Sequence, residues 1–291
     1  MKKIIKPKEI PTAQLHQLLV SSVAPRPIAL VSTINEAGQA NLAPYSFFNV
    51  FSSNPPIMIF SSNRKVANNE TKDTLHNIEA TGEAVVNIVS HDIVRQMAVS
   101  AVAFASDVNE FEKSGLTPMP SELVKPFSVK ESPVSFECKV TKVMKLGDQG
   151  GAGNLMFCEV VNIHVSEHIF DEEGKIDPIS LDVVGRMGRA FYSRAKDGVF
   201  KVFQPVPKLV IGYDQLPNIA KKSKILSGND LGILAGLFEI PTTKSINTIG
   251  EKVAIQALGN DLQAIERAAK DLIEKGAANE ALALLIYADQ K

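Results

Sequence analysis

The chain is poor in cysteine: it has two, Cys138 and Cys158, and no CxxC pair. That excludes the usual zinc frameworks. The two lie on separate predicted strands and read as buried free thiols in a reducing compartment, although their spacing alone leaves a disulfide open. Long apolar runs are also missing. No stretch approaches the roughly 20 apolar residues of a membrane span. The basic start, MKKIIKPKEIPTAQ, has no apolar run of signal-peptide length, so the expected location is the cytoplasm. Neither sign of charge dominates, with 31 basic and 32 acidic residues and a net charge of −1. This gives no basis for binding nucleic acid or an anionic membrane. No GxGxxG follows the first strand, which disfavours a built-in Rossmann nicotinamide site. There is no Ser-His-Asp set, metal cluster, internal repeat, low-complexity tract or long flexible linker.

What remains is an ordinary globular composition, 45% hydrophobic and 22% charged over 291 residues. It is ample for a core, in one large or two small domains. A lead-in segment, 1–24, holds a short helix over Thr12–Val20, capped by Thr12 and with Leu15, Leu18 and Leu19 on one side. APRPIALVST reads as a strand with an extended start, followed by a turn at Asn35–Gly38. After a second strand, Ile57–Phe60, NNETKDTLHNIEATG reads as a helix capped by Thr71 or Asp73 and closed by Gly82. Glu83–Ser90 reads as a buried strand. A helix then opens at His91, and DVNEFEKSG is a further helical stretch. Two long strands follow, over 133–142 and 155–169, joined by a glycine-rich hairpin. Such antiparallel strands with few βαβ units favour a barrel. Beyond Tyr192 the character changes. PVPK and a strand-like run, Leu209–Tyr213, precede helices from Asn229. Leu258, Leu262, Ile265, Ala269 and Leu272 form one apolar seam, Gly276 ends that helix, and Asn279 caps the last. The expected division is 1–199 and a largely helical extension, 200–291.

The stretch the rest is organised around is NLAPYSFFN, Asn41–Asn49. Pro44 removes a backbone donor and keeps Ala43 extended. Small polar residues, Asn41, Ser46 and Asn49, stand among Leu42, Tyr45, Phe47 and Phe48. Apolar bulk with a few placed hydrogen-bonding groups suits a planar, polar-edged ligand. A bulged barrel strand with its polar groups in water fits the same residues. SSNR at 61–64 then offers two hydroxyls and a guanidinium. KDT at 72–74 offers a helix start with Lys72 and Thr74. Hydroxyls, a cation and helix N-terminal amides are the groups that bind phosphate. Taken singly, Arg64 or Lys72 reads as a solvated surface charge, and Asp73 as a helix cap. His91, His164 and His168 are read as structural.

PRPIALVSTINEAGQANLAPYSFFNVFSSNPPIMIFSSNR, followed by KDTLHNI, a glycine and a VVNIVS strand, resembles the flavin reductase-like family. GRMGRAFY, Gly185–Tyr192, resembles that family's closing segment. The resemblance spans about residues 20–195. It implies a mainly β fold with added helices, the FMN-binding split β-barrel, and a homodimer with FMN at the subunit interface. The flavin ring is then expected against Ala43, Pro44, Tyr45, Ser46, Phe47 and Asn49. Its phosphate is expected at Ser61, Ser62, Arg64, Lys72 and Thr74, with Asp73 of the same motif counted among the cofactor-binding residues and Asn77 either nearby or structural. Arg186 and Arg189 are candidates for contact with flavin or a pyridine nucleotide, or for an interface salt bridge. Because flavin carries hydride chemistry itself, the missing acid–base set is expected. The implied activity is an NAD(P)H-dependent FMN reductase, with NAD(P)H as co-substrate and a monooxygenase or other electron acceptor as partner. The alternatives are an FMN-bearing electron carrier, and a flavin-binding module whose C-terminal helices dock a partner.

Overall fold

A computed structural model describes residues 2–202, 209–256, 258–259 and 261–290. The chain divides into two compact units, Met1–Val199 and Phe200–Lys291. PVPK, at 205–208, lies outside the described residues.

The first unit opens with α1 (Thr12–Ser22), then β1 (Ala29–Ile34), β2 (Ala40–Tyr45), β3 (Phe48–Ser53) and β4 (Pro56–Ser61). Next come α2 (Asp73–Thr81), β5 (Glu83–Ile88), α3 (Val94–Ser100) and α4 (Glu110–Ser114). A small ribbon, β6 (Pro118–Met119) with β7 (Ser128–Val129), precedes the long hairpin β8 (Val134–Lys145) and β9 (Asn154–Val165). The unit closes with α5 (Pro178–Leu181) and the strap β10 (Val184–Arg186) and β11 (Tyr192–Arg194).

Seven strands form one antiparallel sheet in the order β2-β1-β5-β8-β9-β4-β3. Its two edges, β2 and β3, are consecutive in the chain and joined only by Ser46 and Phe47. Three Cα steps reach at most about 11 Å, so the sheet must curl until its edges nearly meet. The edges do not pair, and the result is a barrel with a split. The organising stretch is therefore neither one strand nor a bulge: it is the end of one edge, a two-residue break, and the start of the other.

The barrel interior is filled by Ala29, Val31, Val86, Cys138, Met156 and Phe60, among others, with Leu75 and Ile78 of α2 packed against them. A second cluster, including Leu30, Leu42, Met97 and Phe111, packs the outer side of β1 and β2 against α3 and α4. Hence β1 is buried at all six positions. Gly82, at φ 67°, ends α2 with its amide on the Ile78 carbonyl. The expected caps differ. Lys72 occupies the N-cap of α2 and makes no side-chain cap, Thr71 instead pairs with His76 at 2.6 Å, and Pro11 precedes α1.

The second unit contains α6 (Asn218–Lys222), α7 (Gly228–Ala235), α8 (Thr243–Gly250), α9 (Val253–Gln256), α10 (Leu262–Glu274) and α11 (Ala278–Asp289). Leu209–Tyr213 forms no strand, and Asn279 lies inside the first turn of α11, with Ala277 at the cap. The apolar seam holds at Leu258, Ile265, Ala269 and Leu272, which pack in the unit's core together with Ile273, while Leu262 is 54% exposed. That seam faces the unit's own core with Leu234, Ile249 and Leu284.

Candidate functional site

The break at Ser46–Phe47 is held from both sides. The Phe47 carbonyl accepts from the Ser61 amide at 2.9 Å, which ties the break to the end of β4. The Ser46 hydroxyl accepts from Arg26 Nε at 3.3 Å. Arg26 is buried, and it also donates to the carbonyls of Val20, of Val23 at 3.0 Å and of Met187 at 3.4 Å. No carboxylate pairs with it among the described residues. Burial, and then the charge of Arg186, lower its pKa. The carbonyls at the end of α1 supply the negative partial charge that holds the cation. Arg26 thus joins α1, the break and GRMGR. It carries a site role that sequence reading missed; the only signal was a charge placed between two prolines before a buried strand.

GRMGR forms the strap. Its backbone pairs with Arg26 in both directions, at 2.8 and 3.0 Å. A Cβ on Gly185 would stand 2.6 Å from Pro25 Cβ, and one on Gly188 would overlap Ser21. Both glycines are needed for close approach to the segment before β1. Arg186 lies over the Tyr192 ring at 4.6 Å and donates to the Arg189 carbonyl at 2.6 Å. Arg189, with φ 54°, stacks on Phe191 at 5.0 Å.

A cavity of about 100 Å³ is lined by Asn41 and Ala43 of β2, by Lys65, by Thr71–Thr74, by residues 100–104 and by Glu110. Lys72 Nζ sits 4.9 Å over the Tyr45 ring and makes no ion pair among the described residues. Burial, and then Lys65, lower its pKa. Arg64 uses Nε on Asn69 Oδ1 at 2.7 Å, and no bond occupies the rest of its guanidinium among the described residues. Ser61 donates to Asn63 at 2.7 Å. The Ser62 hydroxyl is buried without a hydrogen-bond partner.

Several of the expected contact residues also bond or pack within the chain. Thr74 donates to Asn41 Oδ1 at 2.8 Å, and Asn77 donates to Thr33 at 3.0 Å. Both belong to a network in which Glu110 accepts from Asn41 at 3.2 Å and from the Leu42 amide at 3.0 Å. Burial raises the Glu110 pKa, and the Leu42 amide opposes it. Tyr45 faces the barrel interior, 5.0 Å from the Phe60 ring. Asn49 is exposed and bonds its neighbour's amide at 2.8 Å. Pro44 pairs with Leu30 in the ladder.

Burial raises the Tyr45 phenol to about 12, partly opposed by the nearby Thr74 and Ser62 hydroxyls. Neither closes an acceptable hydrogen bond on it, and the Tyr45 hydroxyl has no partner. Removing a buried, unpaired hydroxyl is nearly neutral or stabilising. Urea denaturation of flavin-free Tyr45→Phe should show stability level with wild type or up to about 1 kcal/mol higher. A loss of more than that would mean the hydroxyl is bonded.

Residues 21–181 match the flavin reductase like domain. The chain belongs to that family. An uncharacterized protein of Aquifex aeolicus is 41% identical over 189 residues, 65% of this chain and 93% of that protein. Nitrilotriacetate monooxygenase component B from Bacillus cereus superimposes at TM-score 0.64 with 31% identity, over 70% of this chain and 99% of that one. The 2-nitrobenzoate 2-nitroreductase of Pseudomonas fluorescens follows at 0.60 and 30%, over 70% and 100%. A protein from Shewanella frigidimarina with the split barrel domain of flavin reductases aligns at 0.59 and 24%, over 68% and 95%. The fold is the split barrel, and this flavin reductase-like chain is a flavin-handling protein of oxidoreductase type. The C-terminal helices lie beyond the family match. No helix among the described residues is long and apolar enough to cross a membrane.

Proposed function

We propose that this chain is an NAD(P)H-dependent FMN reductase of the cytoplasm. Residues 1–199 form the flavin reductase-like domain and 200–291 a helical extension. The observation that carries this reading is Lys72: a half-buried ammonium that makes no ion pair among the described residues and lines a small cleft, with Arg64 of the 61–64 loop holding only Asn69 through Nε. A buried cation without a counter-charge is costly, and the phosphate of FMN is a group of the right sign and size to meet it. The unpaired Ser62 hydroxyl supplies a further donor. The residues therefore fit the cofactor's phosphate end. Its ring would lie along Ala43–Phe47, on the break that Arg26 fixes.

When bound, FMN supplies hydride acceptance and donation itself. The chain's part is to bind the phosphate, orient the ring along the break and keep water from one face of it. Arg186 and Arg189 would meet the pyridine nucleotide or the flavin from the strap. A monooxygenase or similar acceptor would take the electrons, in keeping with the monooxygenase component among the similar structures. A homodimer is supported by edge strand β3, where Val50 is 60% and Phe51 64% exposed. An unpaired edge with large apolar side chains is a surface that a partner covers.

The test is steady-state oxidation of NADH and NADPH with and without added FMN. Flavin-dependent turnover is expected. A protein that binds FMN yet oxidises neither nucleotide would be an electron carrier or a docking module. Sedimentation should show a dimer, and a stable monomer at micromolar concentration with flavin bound would count against an interface site.

A further inference from the structure

A second, larger cavity lies at the barrel mouth, between the sheet and the strap, with a volume of about 590 Å³. Its walls are Ile88, Val134 and Phe136 on the sheet side and Ile176, Leu181 and Val183 on the strap side. Protein interiors are close-packed, and side chains that are free to close such a space do so. Here the strap is not free. The Val184 amide bonds the Val89 carbonyl at 3.2 Å, and the His91 amide bonds the Asp182 carbonyl at 2.9 Å. The Ala195 amide bonds the Val183 carbonyl at 2.9 Å, and Arg186 pairs with Arg26. Gly185 already touches Pro25, so the strap comes no nearer there. The cavity is built into the backbone, and its volume is in the range of small-molecule sites, about 300–1,000 Å³.

The charges on its rim are already matched. Arg194 Nε bonds both carboxylate oxygens of Asp182, at 2.8 and 3.1 Å. Arg26 is occupied by carbonyls and by Ser46. Among the described residues lining it, the Ser193 hydroxyl is the side-chain group with bonding capacity to spare, since its bond to the Gly185 carbonyl is long at 3.5 Å. An ionic ligand would be desolvated here without a free counter-charge. A flat apolar body with at most one hydroxyl or carbonyl would meet apolar walls and Ser193.

We infer that this mouth cavity is a second binding site, separate from the flavin cleft, for a neutral aromatic molecule of one or two rings. Its separateness rests on the flavin reading above, and the arms of the test tell the two apart. The probe is 2-naphthol, whose excited-state naphtholate emission is lost in a dry, apolar site. Wild-type protein should suppress that emission saturably, one site per chain, whether or not riboflavin is present at saturation. Val183→Trp, which fills the cavity, should weaken the dissociation constant by at least about tenfold, the scale set by loss of a well-filled apolar pocket, with Tm kept. Ile176→Trp, at a more exposed position on the same wall, serves if Val183→Trp does not fold. Arg64→Ala should leave naphthol binding unchanged while weakening FMN. Failure to saturate, or full retention in both tryptophan variants, would overturn the site. Competition by riboflavin would show that the cavity belongs to the flavin ring. Naphthol binding that appears only on dilution to monomer would show that a second copy of the chain covers the cavity.

Discussion

Arg64→Ala and Lys72→Ala should each weaken FMN binding by tenfold to a hundredfold and leave riboflavin binding nearly unchanged. The magnitude is that of one charge-assisted hydrogen bond, about 1.5–3 kcal/mol. It falls on FMN alone because riboflavin lacks the phosphate. Neither substitution empties a core site: Arg64 holds Asn69 through Nε only, and Lys72 lies over Tyr45 without entering the interior cluster. The loss should shrink as salt rises, since screening already weakens the wild-type attraction. Lys72 adds a pH arm. Burial, with Lys65 second, lowers its pKa in the free protein, whereas a bound phosphate would raise it. FMN affinity is then greatest while Lys72 is protonated and falls as pH rises through that lowered pKa. Riboflavin affinity should stay flat, and Lys72→Ala should abolish the slope. Equal loss of FMN and riboflavin would make the residue a support of the ring or the fold. No loss in either variant would put the phosphate elsewhere, with Arg186 and Arg189 next in line.

Much of this was legible in the sequence because local chemistry and tertiary structure agree. Gly82 ends α2 where a left-handed residue was needed, and Val134–Val140 lies on a strand as its alternation indicates, although Ser135 and Glu137, at its polar steps, are buried as well. The break at Ser46–Phe47 was only half legible. Its composition set it apart from a plain strand, but its place between the two edges of one sheet is a property of strand order, which no local pattern carries. Lys72 was visible as a cation near a helix start, whereas its lack of a carboxylate partner is a fact of three-dimensional packing. The internal bonds of Thr74 and Asn77 were hidden for the same reason. Their partners, Asn41 and Thr33, lie over thirty residues away. Glu110 and Arg26 were missed because a buried charge breaks the rule on which burial is read. The α10 seam shows the limit of periodicity: Leu258, Ile265, Ala269 and Leu272 join the core as their spacing suggests, but Leu262, at the helix start, is exposed and Ile273 is buried beside Leu272.

Glu137 is the other residue that pattern reading concealed, and replacing it should give the largest loss of stability. It stands at a polar step of the alternating strand β8, yet its side chain is fully buried. Its carboxylate accepts from the amides of Glu122 at 2.9 Å, Leu123 at 2.6 Å and Val124 at 3.1 Å. Asn162 donates at 3.2 Å and His164 Nε2 lies at 2.5 Å. Burial pushes this carboxyl's pKa up. The amides of Glu122 and Leu123, with His164 and Asn162, outweigh burial and hold it at about 2. Glu137→Ala would leave the 122–124 loop amides without their acceptor. Loops that reach water recover part of that loss, so the expected cost is roughly 3 kcal/mol, the scale of hydrogen bonds to a charged group. In a unit of this size that is a fall of about 6–12 °C in its Tm. The folded pKa is depressed, so the stabilisation is complete above the ordinary carboxyl value of 4.5 and is lost as pH falls from there towards 2. Urea denaturation at neutral pH and near pH 3 should therefore show the gap between wild type and Glu137→Ala narrowing in acid. A gap that stays constant with pH would mean that the lost stability comes from packing, and that the buried carboxylate does not hold the loop by its charge.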